Sequence, residues 1–276
     1  MKRLHFKLLS LLALLLLASS CENESNDEAS STYLPAKIVR TTTDSYGVSQ
    51  STTHYTYNQS KQLELSVESS LLNNKMRGVD STWITYRPDK KIDLIITKQI
   101  LFSSQPEETF YRLDSLVCAY ASGKVFLTDT RESGARFAFL LDSEEKLMER
   151  MEYYSGAVYR RQKYTHDSKG NIIDVEFPSR WGNVLFEQVR AYDDKKGYAS
   201  SINMPAWFFI HIGMYDNVEN NLINQTTIHY DEATTFSSVY NVSWTYNQEG
   251  YPVSGNILLS NFDGTTTTTI DYIQVR

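Results

Sequence analysis

Cysteine is nearly absent. Cys21 and Cys118 are the two in 276 residues. Two thiols cannot build a disulfide framework or a cysteine-rich zinc site. Cys118 lies in the apolar context "DSLVCAYASG" and reads as a small buried core residue. The motifs of several common chemistries are also missing. There is no Gly-x-Ser-x-Gly elbow, no glycine-rich phosphate loop and no His-Glu-x-x-His. The histidines beyond the N-terminal segment, His54, His166, His211 and His229, are widely spaced. Acidic residues occur throughout, and no pair is singled out for acid–base work. No catalytic residue, cofactor or metal site is therefore expected. Outside the first 20 residues no apolar run is long enough to span a bilayer, which takes roughly 20 residues. Clustered lysine and arginine are lacking too, which argues against a nucleic-acid partner.

What is present begins with an address. Lys2, Arg3 and Lys7 precede an apolar run from Leu8 to Leu17, and Ala18, Ser19 and Ser20 then lead to Cys21. A basic start, a short apolar middle and small residues before a cut site form a secretory signal over residues 1–20. Without it, 24 basic residues stand against 33 acidic ones, a balance of −9. Ala-Ser-Ser-Cys resembles the lipobox of bacterial lipoproteins. That resemblance implies a diacylglycerol on Cys21, and two or more acyl chains hold a protein stably on a membrane. Glu22, Glu24, Asp27 and Glu28 follow, so residues 21–33 read as the lipidated cysteine and a flexible acidic tether. The acidic cluster also resembles the surface-export signal of Bacteroidetes lipoproteins.

The remainder, 34–276, reads as a single β-meander domain. A short pattern recurs in "TYNQSKQL", "TYRPDKKI", "LLDSEEKL", "THDSKGNI" and "TYNQEGYPV", with a looser copy in "AYDDKKGY". An aromatic or apolar residue is usually followed by Asn or Asp, then a polar stretch, then an apolar residue. Asn and Asp bond their own backbone in turns, and Gly supplies positive φ, so each copy reads as strand, tight turn, strand. In three copies Lys61, Lys90 and Glu145 stand where Gly is expected. The flanks alternate with period two: Leu63, Leu65 and Val67 against Glu64 and Ser66, and Tyr240, Val242, Trp244 and Tyr246 against Asn241, Ser243 and Thr245. One face is then buried and the other wet, which antiparallel sheets permit. The expected fold is all-β, an antiparallel up-and-down meander of roughly 12 strands curled into a soluble barrel or half-barrel.

These hairpin copies resemble the tyrosine-aspartate repeat of Rhs-type proteins. Together with the lipobox, the chain resembles Bacteroidetes outer-membrane lipoproteins with a porin-like β-meander fold. The resemblance implies a fold and a lipid-anchored place at the outer membrane, and no activity. The outward polar set taken from the alternation (Glu64, Ser66, Asp174, Glu176, Asn241 and Ser243) argues for a barrel outside the bilayer, because a membrane barrel carries an outward apolar band.

One segment breaks the pattern. Pro205, Trp207 to Ile210, Ile212, Met214 and Tyr215 are too densely apolar for a solvated strand. Pro205 suits a first helical turn. A short helix near 206–215 is expected over one opening of the sheet, with Asn217 near its stop. It reads first as a plug. It also offers Trp207, Phe208, His211 and Tyr215 as the lining of a ligand pocket. His166 occupies the aromatic slot of a hairpin copy and reads as structural. "DSL" at Asp114 to Leu116 resembles a Bacteroidetes O-glycosylation triplet. Two functions are compatible with these features: a non-enzymatic binding or structural module of the envelope, with a glycan or an envelope protein as partner, and a hydrolase acting on envelope or dietary glycans.

Overall fold

The computed structural model describes residues 32–102, 109–131, 134–179, 183–214, 216, 218–230, 235–260 and 263–275. Residues 1–31, and with them Cys21, lie outside these. The chain divides into two compact units, and the larger, Tyr33–Ile273, holds the barrel.

Sixteen strands make it. They are β1 (Thr32–Asp44), β2 (Gly47–Tyr57), β3 (Leu63–Leu72), β4 (Lys75–Tyr86), β5 (Ile92–Phe102), β6 (Thr109–Ala121), β7 (Lys124–Asp129) and β8 (Ala135–Leu141). Then come β9 (Leu147–Tyr154), β10 (Ala157–His166), β11 (Ile172–Pro178), β12 (Val184–Tyr192), β13 (Leu222–Tyr230), β14 (Thr235–Tyr246), β15 (Pro252–Leu259) and β16 (Thr265–Val275). Every strand pairs antiparallel with its sequence neighbour, and β1 closes on β16. Thr42 and Thr266 share a hydroxyl hydrogen bond of 2.8 Å across that seam. The meander is thus a closed barrel with more strands than the roughly 12 expected from typical element spacing.

Turns alternate between two ends. All the repeated motifs fall at one end. Asn58, Asp142, Asp167 and Asn247 each donate their N–H to the carbonyl four residues on. Each also takes that residue's N–H on its own Oδ1, at 2.8 to 3.0 Å. The fourth turn position needs the left-handed backbone: Gly170 and Gly250 have φ 95° and 83°, and Lys61, Lys90 and Glu145 hold φ 62–67°. The missing glycines therefore leave the turn intact, at the steric cost a non-glycine bears there.

Tyrosines near the ends of strands on this side of the barrel share a task. Tyr57, Tyr120, Tyr192 and Tyr272 donate their hydroxyls to the carbonyls of Pro35, Ile92, Ile172 and Pro252, near the edge of the neighbouring strand. Tyr86 does the same to Leu63. Each ring covers the hairpin base, and each hydroxyl satisfies a carbonyl at the sheet rim.

The looser copy is an opened turn. Asp193 bonds Asn221, not a residue four positions on: its N–H donates to Asn221 O at 3.1 Å, and its Oδ1 accepts Asn221 N–H at 3.0 Å. Residues 194–220 are inserted between the two. They carry α1 (Ala206–His211), which follows Pro205 in extended backbone. The helix is shorter than 206–215. Gly213, at φ 74°, turns the chain back, and the N–H of Met214 closes on Phe209 O. Asn217 and Tyr215 lie outside the described residues.

Trp207, Phe208, Phe209 and Ile210 are buried. The insertion touches strands around the whole circumference. Tyr86 reaches Met204, Tyr120 and Phe139 pack on Trp207, Arg190 pairs with Asp216 at 3.5 Å, and Tyr251 bonds Ser201. The segment is a plug inside one end of the barrel.

Those contacts fix which face is inside, and the register carries the assignment from strand to strand. On β14 the inward set is Tyr240, Val242 and Trp244, as the alternation implies. On β3 the assignment is reversed from the expectation. Ser66 and Glu68 line the lumen beside His211, and Leu65 and Val67 face out. A barrel of this strand number is too wide to be filled by side chains, so its interior is wet and accepts polar residues. Of the expected outward polar set, Asp174, Glu176, Asn241 and Ser243 do face out.

Candidate functional site

The lumen is the candidate site. Beneath α1 lies a cavity of about 350 Å³. Its wall from β2 to β6 is hydroxyl and carboxylate: Thr53, Tyr55, Ser66, Glu68, Asp80, Thr82, Thr97 and Asp114. Its roof and far side are Phe137, His211, Ile212 and Met214. Glu68 and Asp80 stand directly opposite each other on β3 and β4. Gln99 donates to Asp80 Oδ2 at 3.3 Å, and Asp80 Oδ1 is buried without a partner among the described residues.

A second cavity, about 940 Å³, adjoins the first through Asp114 and Arg136. It runs toward the end opposite the plug, where Tyr154 and Tyr159 are 75% and 67% exposed. An arginine–aspartate network lines it. Arg112 meets Asp114 at 2.7 Å, Arg131 bridges Asp114 and Asp129 at 2.7 and 3.0 Å, and Arg136 reaches Asp129 at 3.3 Å. Hydrogen bonds from Arg131 hold the Asp129 carboxyl down at about 2. That carboxyl is fixed as an anion and does not suit a general acid. Further round, Phe177, Phe186, His229 and Phe236 stack as direct cross-strand partners, with centroids 3.9, 5.3 and 4.5 Å apart.

The helix residues expected to line one pocket are split by the fold. Trp207 borders a separate cavity of about 670 Å³ on the plugged end, between the turns at Lys90, Gly123 and Asp142. His211 faces the lumen instead. Phe208 is fully buried in the core of the plug, and Tyr215 lies outside the described residues. His211 packs edge-on against Phe137 and Phe139, and its Nδ1 has no partner among the described residues. Burial, with Arg150 and Arg136 nearby, lowers its pKa to about 4, so the ring is neutral at pH 7.

The other histidines do not join it. His54 faces outward on β2 and His166 sits at a turn base. Cys118 is fully buried, and burial pushes its thiol up to about 12, which makes it a poor nucleophile. Asp114 belongs to the arginine network in the lumen. Among the described residues, no group of three or more His, Cys, Asp or Glu could hold a metal ion. No helix of the described residues is long and apolar enough to cross a membrane. The lumen wall itself was missed from sequence. Its signal is partial: Ser66, Glu68, Asp80, Thr82, Thr97 and Gln99 share the parity opposite to Leu65, Val67, Val79, Trp83, Ile96 and Ile100.

No protein-family profile matches the chain, and no curated protein matches it. Solved structures with a similar chain course include a porin-like protein from Bacteroides uniformis, at 8% identity and TM-score 0.42, covering 87% of this chain and 98% of that one. A porin-like protein from Bacteroides vulgatus aligns at 11% identity and TM-score 0.41, covering 88% and 99%. A putative outer membrane lipoprotein-sorting protein domain from Vibrio parahaemolyticus aligns at 11% identity and TM-score 0.22, covering 88% and 85%. Likeness at this level carries no functional argument.

Proposed function

We propose that the protein is a lipid-anchored barrel of the bacterial cell envelope that binds a polar, polyhydroxylated ligand in a one-ended lumen, without catalysis. The observation that carries this reading is the plug. Residues 194–220 contact strands around the barrel and put buried aromatic side chains across one end, leaving a cavity that reaches solvent at the other. That is a cup and not a through-channel. Its wall offers hydroxyl donors and carboxylate acceptors beside the apolar surfaces of Phe137, Ile212 and Met214. A glycan presents the matching mixture of hydroxyls and C–H faces. Asp129, held ionised by Arg131 at the open side, is no proton donor, which favours binding over hydrolysis there.

The anchor and the ligand are tested separately. Labelled palmitate should enter the wild-type chain and not Cys21→Ser, and globomycin should block maturation. For the lumen, purified protein is screened against envelope and dietary oligosaccharides by thermal unfolding. A ligand at 100 times its Kd adds about 2.7 kcal/mol, a readily measured rise in Tm. Glu68→Gln together with Asp80→Asn should abolish that rise. A panel with no stabilising glycan, or release of shortened products, would refute the reading.

A further inference from the structure

Most charges inside the barrel are matched, among those described. Arg112 meets Asp114 at 2.7 Å, and Arg131 and Arg136 reach Asp129 at 3.0 and 3.3 Å. Asp216 lies 3.5 Å from Arg190. Glu152 and Arg160 are direct cross-strand partners. Arg150 donates to Gln162 Oε1 at 2.8 Å and lies over the Phe137 ring.

Glu68 and Asp80 depart from this. They are direct cross-strand partners on β3 and β4, and both line the cavity beneath the plug. Neither makes an ion pair among the described residues. Their row continues through Thr53 on one side and through Gln99 to Arg112 on the other. Arg112 stands two strands from Asp80, roughly 10 Å at the usual strand spacing, and is turned to Asp114. Like charges set directly opposite each other destabilise a sheet. Here that cost is borne on the wall of a cavity, with no cation of the protein to offset it.

A second observation does not depend on those charges. His211 lies on the roof of the same cavity, and its Nδ1 is buried without a partner among the described residues. The ring is neutral at pH 7, so it adds no positive charge and keeps a nitrogen lone pair for a donor. Wall and roof both present acceptors, since Asp80 Oδ1 is also buried and unpartnered among the described residues. The occupant they call for is a donor with positive charge.

We propose that the ligand of the lumen carries a protonated amine, as an amino sugar does, and that Glu68 and Asp80 hold its ammonium between them. The inference rests on the reading that the lumen binds a polyhydroxylated ligand. Directly opposed side chains have Cβ atoms about 4.5–5.5 Å apart, so one ammonium, with three donors, can reach both carboxylates. Such charge-assisted bonds are roughly twice as strong as neutral ones. The sugar's hydroxyls find Thr53, Ser66, Thr82 and Thr97 on the same wall, and its C–H face finds Ile212 and Met214. A metal ion fits less well, because no group of three or more His, Cys, Asp or Glu among the described residues could hold one.

The test measures the binding of two probes to the full chain by calorimetry, at about pH 6, where a primary amine is protonated. One is the linear trisaccharide of glucosamine, and the other is the same trisaccharide N-acetylated, which loses the charge and keeps the ring hydroxyls. The amine form should bind about tenfold tighter or more. Glu68→Gln and Asp80→Asn, each alone, should erase that preference. Without sugar, both variants should melt no lower than the wild type, because each removes a repulsion at nearly constant size. A lower midpoint would contradict the repulsion from which the inference starts. Equal binding of the two trisaccharides, or a preference that survives both substitutions, overturns the inference and leaves the cup reading in place. A screen in which neutral sugars alone stabilise the protein does the same. A screen in which no glycan stabilises it removes both. Stabilisation by calcium ions that Glu68→Gln abolishes would give the pair to a metal and overturn the inference.

Discussion

Replacing Asp193 by Ala should loosen the plug, and its neighbour supplies the control. The Asp193 carboxylate accepts the N–H of Asn221 at 3.0 Å and the hydroxyl of Tyr246. Asn221 is fully buried, and its Nδ2 also donates to Lys196 O at 2.9 Å, so that amide keeps one partner after the change. The buried Asn221 N–H and the half-buried Tyr246 hydroxyl lose that acceptor. Each buried group deprived of its acceptor costs about 1–3 kcal/mol, so Asp193→Ala should cost about 3 kcal/mol. Asp194 is 79% exposed and lies 3.7 Å from Lys195, so Asp194→Ala should change stability by less than about 0.5 kcal/mol. Urea unfolding followed by tryptophan fluorescence reads both, since Trp207 is buried in the plug. With a slope of about 1–3 kcal/mol/M, the Asp193 variant should lose about 1 M or more in midpoint. Amide exchange at Trp207 to Ile210 should accelerate in that variant first. Equal midpoint shifts for the two aspartates would refute the idea that Asp193 closes an opened turn.

Three further outcomes follow from the packing and the buried groups. Gly255→Ala puts a Cβ 2.5 Å from the Trp244 ring, whose Nε1 donates to Leu222 O, so it should cost about 1–3 kcal/mol in urea unfolding, with much of the loss recovered in the Trp244→Val background. The His211 contribution to stability is complete above the ordinary pKa of 6.5 and is lost as pH falls through about 4, because the fold disfavours the charged ring. It amounts to at most about 3 kcal/mol, and His211→Gln should flatten the unfolding midpoint against pH across that window. The buried, high-pKa Cys118 should resist Ellman's reagent in the folded protein and react on denaturation, and reaction at the native rate of a free thiol would contradict its placement.

The hairpins at the plugged end were legible because Asn58, Asp142, Asp167 and Asn247 announce their turns by side-chain chemistry within five residues. The other end was harder. There Asn73 and Asn74, at φ 50° and 62°, and Ser155 and Gly156, at 51° and 77°, make two-residue reversals without the repeated motif, and strands were undercounted. The plug was visible as apolar density from Trp207 to Met214. Its attachment was not, since Asp193 and Asn221 are far apart in sequence. Inside and outside were readable on β14 and misread on β3, because period-two alternation states that two faces differ and not which one a wet lumen receives. The split of Trp207 and His211 between two cavities follows from their places one turn apart along the helix, on either flank of Phe139, which a list of apolar residues does not reveal.

Single-cysteine labelling with a bulky polymer maleimide tests the barrel and its inward–outward assignment most directly. Positions are compared in adjacent pairs: Thr52 with Thr53, and Thr267 with Thr268. Thr53 lines the cavity beneath the plug, and Thr268 is buried. Cysteine at 52 and 267 should label rapidly in the folded protein, while cysteine at 53 and 268 should stay protected until denaturation. Equal reactivity within each pair, or protection at 52 and 267, would contradict the closed, plugged barrel.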